Sequence, residues 1–149
     1  MKKYELTNET MEWFGRTLYR IRALKDFNNV YKGDLGGWIE SEGNLSHVGD
    51  CWVFGNARVY DNAKVCGSAW VHDNARVFGS AWVHDNARVF GSARVYDNAR
   101  VCGSAWVHGS AWVCGRTIVC GRTIVCGRTR VYNNNDKPFK EKLKTEKFW

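Results

Sequence analysis

ARVYDNAKVCGSAWVHDN, residues 57–74, decides the fold. It divides into three units of six. Each opens on alanine, carries valine two places later and closes on Asp-Asn or Gly-Ser. Working outward, valine recurs at every sixth residue from Val53 to Val131 with no insertion. A small residue stands two places before each valine: Cys51, alanine from Ala57 to Ala111, then Thr117, Thr123 and Thr129. A period of six is neither the 3.6 of a helix nor plain alternation. Within a unit, though, Ala57, Arg58, Val59 and Tyr60 alternate in character, as a short strand with two faces requires. Glycine or Asp with Asn or Ser then supplies a corner, through unusual backbone angles and local hydrogen bonds. Each hexad therefore reads as a four-residue strand and a two-residue corner. Three hexads close a triangular coil, and coils stack as parallel strands about 4.8 Å apart. Valine and the small residue point inward. Counted from Ile39, about five coils give a prism roughly 25 Å long.

The flanks lack the repeat. Residues 3–7 and 16–24 read as strands of a small β-hairpin cap, with Tyr19, Ile21 and Ala23 alternating against Arg20 and Arg22. The cap is expected to end at a flexible stretch, Gly33, Asp34, Leu35, Gly36 and Gly37. Residues 133–149 read as a short capping helix started by Asn133 to Asp136 and Pro138, with Phe139 and Leu143 on one face. The same tail is basic, with Lys137, Lys140, Lys142, Lys144 and Lys147. The expected organisation is one all-β structural domain: a cap over 1–38, a β-helix over 39–132 and a terminal segment over 133–149.

These hexads resemble the hexapeptide-repeat left-handed parallel β-helix family over 51–132, and more loosely over 39–50. The head, GRTLYRIRAL at 15–24 and GDLGGWIESEGNLSHVGDCWV at 33–53, is similar to that of hexapeptide-repeat proteins of phages, prophages and gut bacteria. The repeats are similar to those of YdcK-like proteins of unknown function. The left hand of the coil is what the resemblance implies. It also implies that an enzyme of this fold would be an acyltransferase: a trimer with a catalytic histidine and an acyl-CoA cofactor.

A coil of 18 assigns every outward residue to a face. One face carries Trp52 and Phe54, Trp70 and His72, Arg88 and Phe90, Trp106 and His108, Ile124 and Cys126. The second carries a column of Arg58, Arg76, Arg94 and Arg130 beside Tyr60, Phe78, Tyr96 and Tyr132, with Trp112 and Cys114 between. The third carries Lys64 and Cys66, Trp82 and His84, Arg100 and Cys102, Ile118 and Cys120. The second face is the expected binding surface, because arginine and tyrosine dominate protein–protein hot spots. Aromatic stacking with backbone neutralisation also suits single-stranded nucleic acid.

Charge is uneven. The net charge is +7, and no acid lies between Asp97 and Asp136. Arg116, Arg122 and Arg128 occupy three successive corners and form a basic ring that attracts acidic partners. His72, His84 and His108 are the acyltransferase candidates, yet they replace Tyr, Phe or Cys at one repeat position, as ladder fillers do. No loop leaves the coils to wall a substrate pocket. Cys66, His84, Cys102 and Cys120 form a column along a straight ladder, which closes a zinc tetrahedron poorly. Cys102 and Cys120 lie within disulfide distance, but a reducing bacterial cytoplasm, the expected location, favours free thiols. No apolar run approaches a membrane span.

The sequence thus points to a non-enzymatic binding protein that presents rigid Arg/aromatic faces to a macromolecular partner, without a cofactor or metal. The expected partner is a protein, and a phage-borne inhibitor of a host immune protein is the role the resemblance makes plausible. A trimeric, acyl-CoA-dependent acyltransferase is the alternative and a nucleic-acid binder the third reading. Assembly into a dimer or trimer is compatible with all three.

Overall fold

The computed structural model describes residues 2–133 and 144–147. It is a parallel β-solenoid of about five turns. The hexads form three ladders. The five-stranded one contains β4 (Trp52–Val53), β7 (Trp70–Val71), β10 (Arg88–Val89), β13 (Trp106–Val107) and β16 (Ile124–Val125). The four-stranded one contains β6 (Lys64–Val65), β9 (Trp82–Val83), β12 (Arg100–Val101) and β15 (Ile118–Val119). The third contains β5 (Arg58–Val59), β8 (Arg76–Val77), β11 (Arg94–Val95), β14 (Trp112–Gly115) and β17 (Thr129–Asn133). It is extended by the hairpin β1 (Tyr4–Trp13) and β2 (Arg16–Ala23), by β3 (Leu35–Ile39) and by β18 (Lys144–Lys147) into a nine-stranded sheet. Most hexad strands are only two residues long, shorter than the four expected, because the flanking residues already turn into corners.

Every valine from Val53 to Val131 and every alanine from Ala57 to Ala111 is buried. Burying one such valine is worth about 1.5–3 kcal/mol. The coils are tied by backbone bonds repeated at the coil period, such as Arg58 N–H to Ala75 O at 3.0 Å and Tyr60 N–H to Val77 O at 3.1 Å. At the corners, Asp61, Asp73, Asp85 and Asp97 adopt the left-handed conformation with φ of 59–60°. Each carboxylate accepts the N–H of the glycine one coil on, Gly79, Gly91, Gly103 and Gly115, at 3.0–3.1 Å. The side chain that tolerates the corner also staples it to the next coil.

The first coil is irregular. Ile39 pairs with Val59 and Leu45 with Val65, an offset of 20 residues, whereas Val59 pairs with Val77 at 18. The two extra residues lie between Leu45 and Val53, which are eight apart where later hexads step by six; just before them comes a short 3-10 turn, Glu42–Asn44. Buried Asn44 seals it, accepting from the N–H of Glu40 and Ser41 and donating to the carbonyls of Asp61 and Ala63.

Four expectations are corrected. The glycine stretch is not a flexible end, because Gly36 and Gly37 lie within β3 and are buried. A Cβ on Gly36 would lie 2.6 Å from the Val53 carbonyl, and one on Gly37 2.7 Å from the Ala57 carbonyl, so only glycine lets the strand approach. Second, Lys144–Lys147 form a strand antiparallel to β17 rather than part of a helix. The helix start at Pro138, with Phe139 and Leu143, lies outside the described residues. Third, Trp52 keeps its place on the five-stranded ladder, in register with Trp70, but it is not open to solvent. It is 1% exposed, packed edge-on against Tyr4 and Phe27 of the cap. Fourth, Thr123 stands in the inward frame yet is exposed, with its hydroxyl turned to the Cys120 carbonyl at 2.7 Å, at the last coil of the solenoid.

Candidate binding face

The outward residues follow a rule that comes from arithmetic. Arginine and tryptophan hexads mostly alternate along the chain, and a coil holds three hexads. Residues one coil apart on the same face therefore tend to alternate cation and indole. On the five-stranded face the Arg88 guanidinium lies over Trp70 at 4.6 Å and Trp106 at 5.6 Å. On the four-stranded face Trp82 is sandwiched between Lys64 at 5.7 Å and Arg100 at 4.9 Å. Each cation is thereby set against a ring face, an attractive arrangement.

The nine-stranded face breaks the rule. Arg58, Arg76 and Arg94 pair in register on successive coils, followed by Trp112 and Arg130. Like charges directly opposite each other destabilise a ladder. The chain relieves one of the two arginine steps itself. Trp13, at the tip of the β1–β2 hairpin, sits with its ring 4.0 Å from the Arg58 guanidinium and 4.5 Å from that of Arg76. Trp112 serves Arg94 from the far side, at 5.2 Å. Among the described residues no ring lies between Arg76 and Arg94. Burial, and then the Arg94 charge, pull the Arg76 guanidinium below its ordinary pKa.

Beside the cations, Tyr60, Phe78 and Tyr96 stack with centroids 5.1 and 5.0 Å apart and planes within 4°. Burial first, and then its contact with Cys114, push the Tyr96 phenol up. Arg130 lies 5.4 Å over Tyr132 at the upper end. All eight expected residues therefore share one sheet. The structure does not leave all eight open. Tyr60 is buried with Leu18 and Trp38 beneath the hairpin, and Arg16 covers it at 4.9 Å while bonding Asp61. Arg76, Phe78, Arg94 and Tyr96 are half-buried and lie beyond Trp13. The hairpin's occupation of this face has no periodic signal and was missed. The run of three arginines was visible at 58, 76 and 94.

The other candidates are placed as follows. His72, Phe90 and His108 form a continuous stack, 4.8 and 4.7 Å between centroids. His72 Nδ1 lies 3.4 Å from Asp73 and His84 Nδ1 3.3 Å from Asp85. An open groove of about 770 Å³ runs along this face, lined by Phe54, Trp70, His72, Asn74, Arg88 and Ser92. Cys102 and Cys120 form a disulfide with Cα atoms 4.6 Å apart, correcting the expectation of free thiols. In-register rungs bring the two side chains within bonding range. Cys66 is held away from Cys102 by the intervening coil of His84 and remains free. Among the described residues no cluster of three or more His, Cys, Asp or Glu could hold a metal, and no helix is long and apolar enough to cross a membrane. Arg116, Arg122 and Arg128 are exposed at their corners.

Fold and face together define a hexapeptide-repeat parallel β-solenoid with a ladder of cations and rings on its outside. Within that class, its coils are similar to those of the YdcK beta solenoid repeat, whose family model matches residues 53–73, 71–85 and 93–109. The chain is also 32% identical over 80 residues to the uncharacterized acetyltransferase YdcK of Escherichia coli (strain K12). That match covers 44% of this chain and only 24% of the relative.

Proposed function

We propose that the protein is a non-enzymatic binding module that holds a protein partner on its nine-stranded face, centred on Arg76, Phe78, Arg94 and Tyr96. The observation that carries this reading is the Arg76–Arg94 step, two guanidiniums one coil apart with no ring between them among the described residues. This run of three like cations departs from the cation–ring contacts of the other two faces, and such local departures are where functional or strained sites are expected. The surface is a backbone-bonded ladder, so little ordering would be lost on binding. A phage-borne inhibitor of a host immune protein is the sharpest form of this reading, and it rests on the likeness of residues 15–24 and 33–53 to phage and prophage proteins.

The test is affinity capture from bacterial lysate with the native chain and with Arg94→Glu plus Tyr96→Ala. Truncating hot-spot residues costs 2 kcal/mol or more, roughly 30-fold in affinity. Capture should be lost while the circular dichroism spectrum stays native; the melting temperature falls with the lost Trp112 and Phe78 contacts, so Arg88→Asp, weakened on another face, is the control that should still capture. A captured nucleic acid whose affinity falls linearly on a log–log salt plot would favour the third reading instead.

Acyl transfer is the second reading. It is favoured by the acetyltransferase name of the relative and by the His72–Asp73 and His84–Asp85 contacts. A general base needs an orienting neighbour and a site that excludes water. These imidazoles have the first but sit on an open face. If acetyl-CoA raises the melting temperature of a trimeric assembly, and His72→Ala, His84→Ala or His108→Ala abolishes acetyl transfer without unfolding, the enzyme reading replaces the binding one.

A further inference from the structure

We infer that what the partner places on this face is an aromatic ring flanked by carboxylates, inserted between Arg76 and Arg94 directly beyond Trp13. The inference rests on the binding-face reading above and names the partner's chemistry. The solenoid states its own preference at several other cationic steps. Arg88 has a ring on both sides, and Trp82 separates Lys64 from Arg100. Where the repeat fails to provide a ring, between Arg58 and Arg76, the chain brings one from 45 residues away by sending the hairpin tip across the face. Trp13 is thus an internal example of a ligand for this surface: an indole delivered by a turn and clamped by two guanidiniums.

The next step upward repeats the same register, Arg76 opposite Arg94, without an occupant among the described residues. Arg76 already has Trp13 beneath it and Arg94 has Trp112 above it, so one further ring would complete a continuous series of alternating cations and rings. The charge argues for accompanying acids. Among the described residues the salt bridges of this region join Arg16 to Asp61 and Glu40, below the gap, and none reaches Arg76 or Arg94. An incoming carboxylate would meet two arginines paired one coil apart, one of them held below its ordinary pKa first by burial and then by the other's charge. Charge-assisted bonds of this kind are the strong ones.

The experiment uses the full chain with arginine side-chain Nε–H resonances assigned by NMR. The probes are two short capped peptides, one with Glu-Trp-Glu and one with Glu-Leu-Glu at the centre. The expected result is a shift of the Arg76 and Arg94 resonances, saturating at about fivefold lower concentration for the tryptophan peptide. Arg94→Trp should supply the missing ring from within, abolish the peptide shift and raise the melting temperature by about 2–4 °C. Arg94→Gln, which removes charge without adding bulk, should also abolish the shift. Equal binding of the two peptides, shifts confined to Arg116, Arg122 and Arg128, or no shift at millimolar peptide would overturn the inference. Lysate capture separates the two levels. If capture needs Arg94 but the peptides show no ring preference, the partner chemistry alone is wrong. If capture ignores Arg94, the face itself is wrong.

Discussion

The coils and the N-terminal cap are stabilised by opposite strategies. In the coils most interior contacts are copies: valine recurs in every hexad from Val53 to Val131, inward alanine from Ala57 to Ala111, and the N–H to carbonyl bond at the coil period. In the cap nearly every contact is singular. The Lys3 amine, fully buried, donates to the carbonyls of Gly49 at 3.1 Å and Cys51 at 2.6 Å and lies over the Phe27 ring. Burial holds that amine below the ordinary lysine range. The Tyr4 hydroxyl donates to Leu45, and His47 stacks on the Tyr4 ring while bonding Glu42. Repetition spreads the cost of a surface defect over many equal neighbours. Singular contacts have no substitute, so the cap should fail by single lesions that the coil surfaces would tolerate.

The largest expected effect tests the inside of the copies against their outside. Val89→Asp places an unpaired charge in the core at mid-prism, which no neighbour can neutralise. Insoluble or unfolded protein is expected, whereas Arg88→Asp, one residue away, should fold with a lower melting temperature from the lost contact with Trp70 and Trp106. If both variants give the same circular dichroism melt, the inward and outward frames are misassigned.

Next comes a lesion at the junction of the two regions. Gly36→Ala drives a methyl into the Val53 carbonyl and the Ile21 side chain. Overpacking of this kind costs about 1–3 kcal/mol, or about 2–10 °C in a chain of this size. A Gly36→Ala melt that splits into two phases would show that cap and coils unfold separately. An unchanged melt would show that β3 is not held where the structure puts it.

Acid should weaken both regions, but by different routes. The Gly103 N–H, and then His84, hold the Asp85 carboxyl below the ordinary aspartate range. In the cap, His47 and then Lys2 lower Glu42. A carboxyl depressed in the folded state adds stability at neutral pH, and that stability is lost as pH falls through the depressed value. Asp85→Asn keeps the left-handed corner and a side-chain acceptor for the Gly103 N–H, so it should flatten the acid limb only slightly. Glu42→Gln gives up its ion pairs with Lys2 and His47 and should flatten it more. Urea midpoints measured between about pH 6 and pH 3 check the order.

Replacing Arg116, Arg122 and Arg128 with serine should have the smallest effect. Exposed substitutions usually change stability by no more than about 0.5 kcal/mol. The melting temperature should hold, while association with an acidic partner slows modestly and loses part of its salt dependence. A large fall in melting temperature would mean that the basic corners are structural.

The same contrast explains what could be read from the chain alone. The strand positions, the three faces and the buried valines all followed from one period, because each residue's environment was announced many times over. Trp52 followed the period onto its face, yet its burial was missed, since its cover comes from Tyr4 and Phe27, residues with no echo in the repeat. Gly36 and Gly37 read as a hinge because close approach and looseness both call for glycine. Trp13 was silent for the same reason that it matters: its only connection to Arg58 and Arg76 runs through space.

The three-hexad coil also has a genetic consequence. Near-identical tandem units invite slippage during replication, and the valine core accepts any whole number of hexads. Gain of a single hexad would turn everything downstream by a third of a revolution without disturbing the interior. The chain is in effect a combination dial: short duplications choose which outer columns line up with the hairpin, while the tumblers inside stay unchanged.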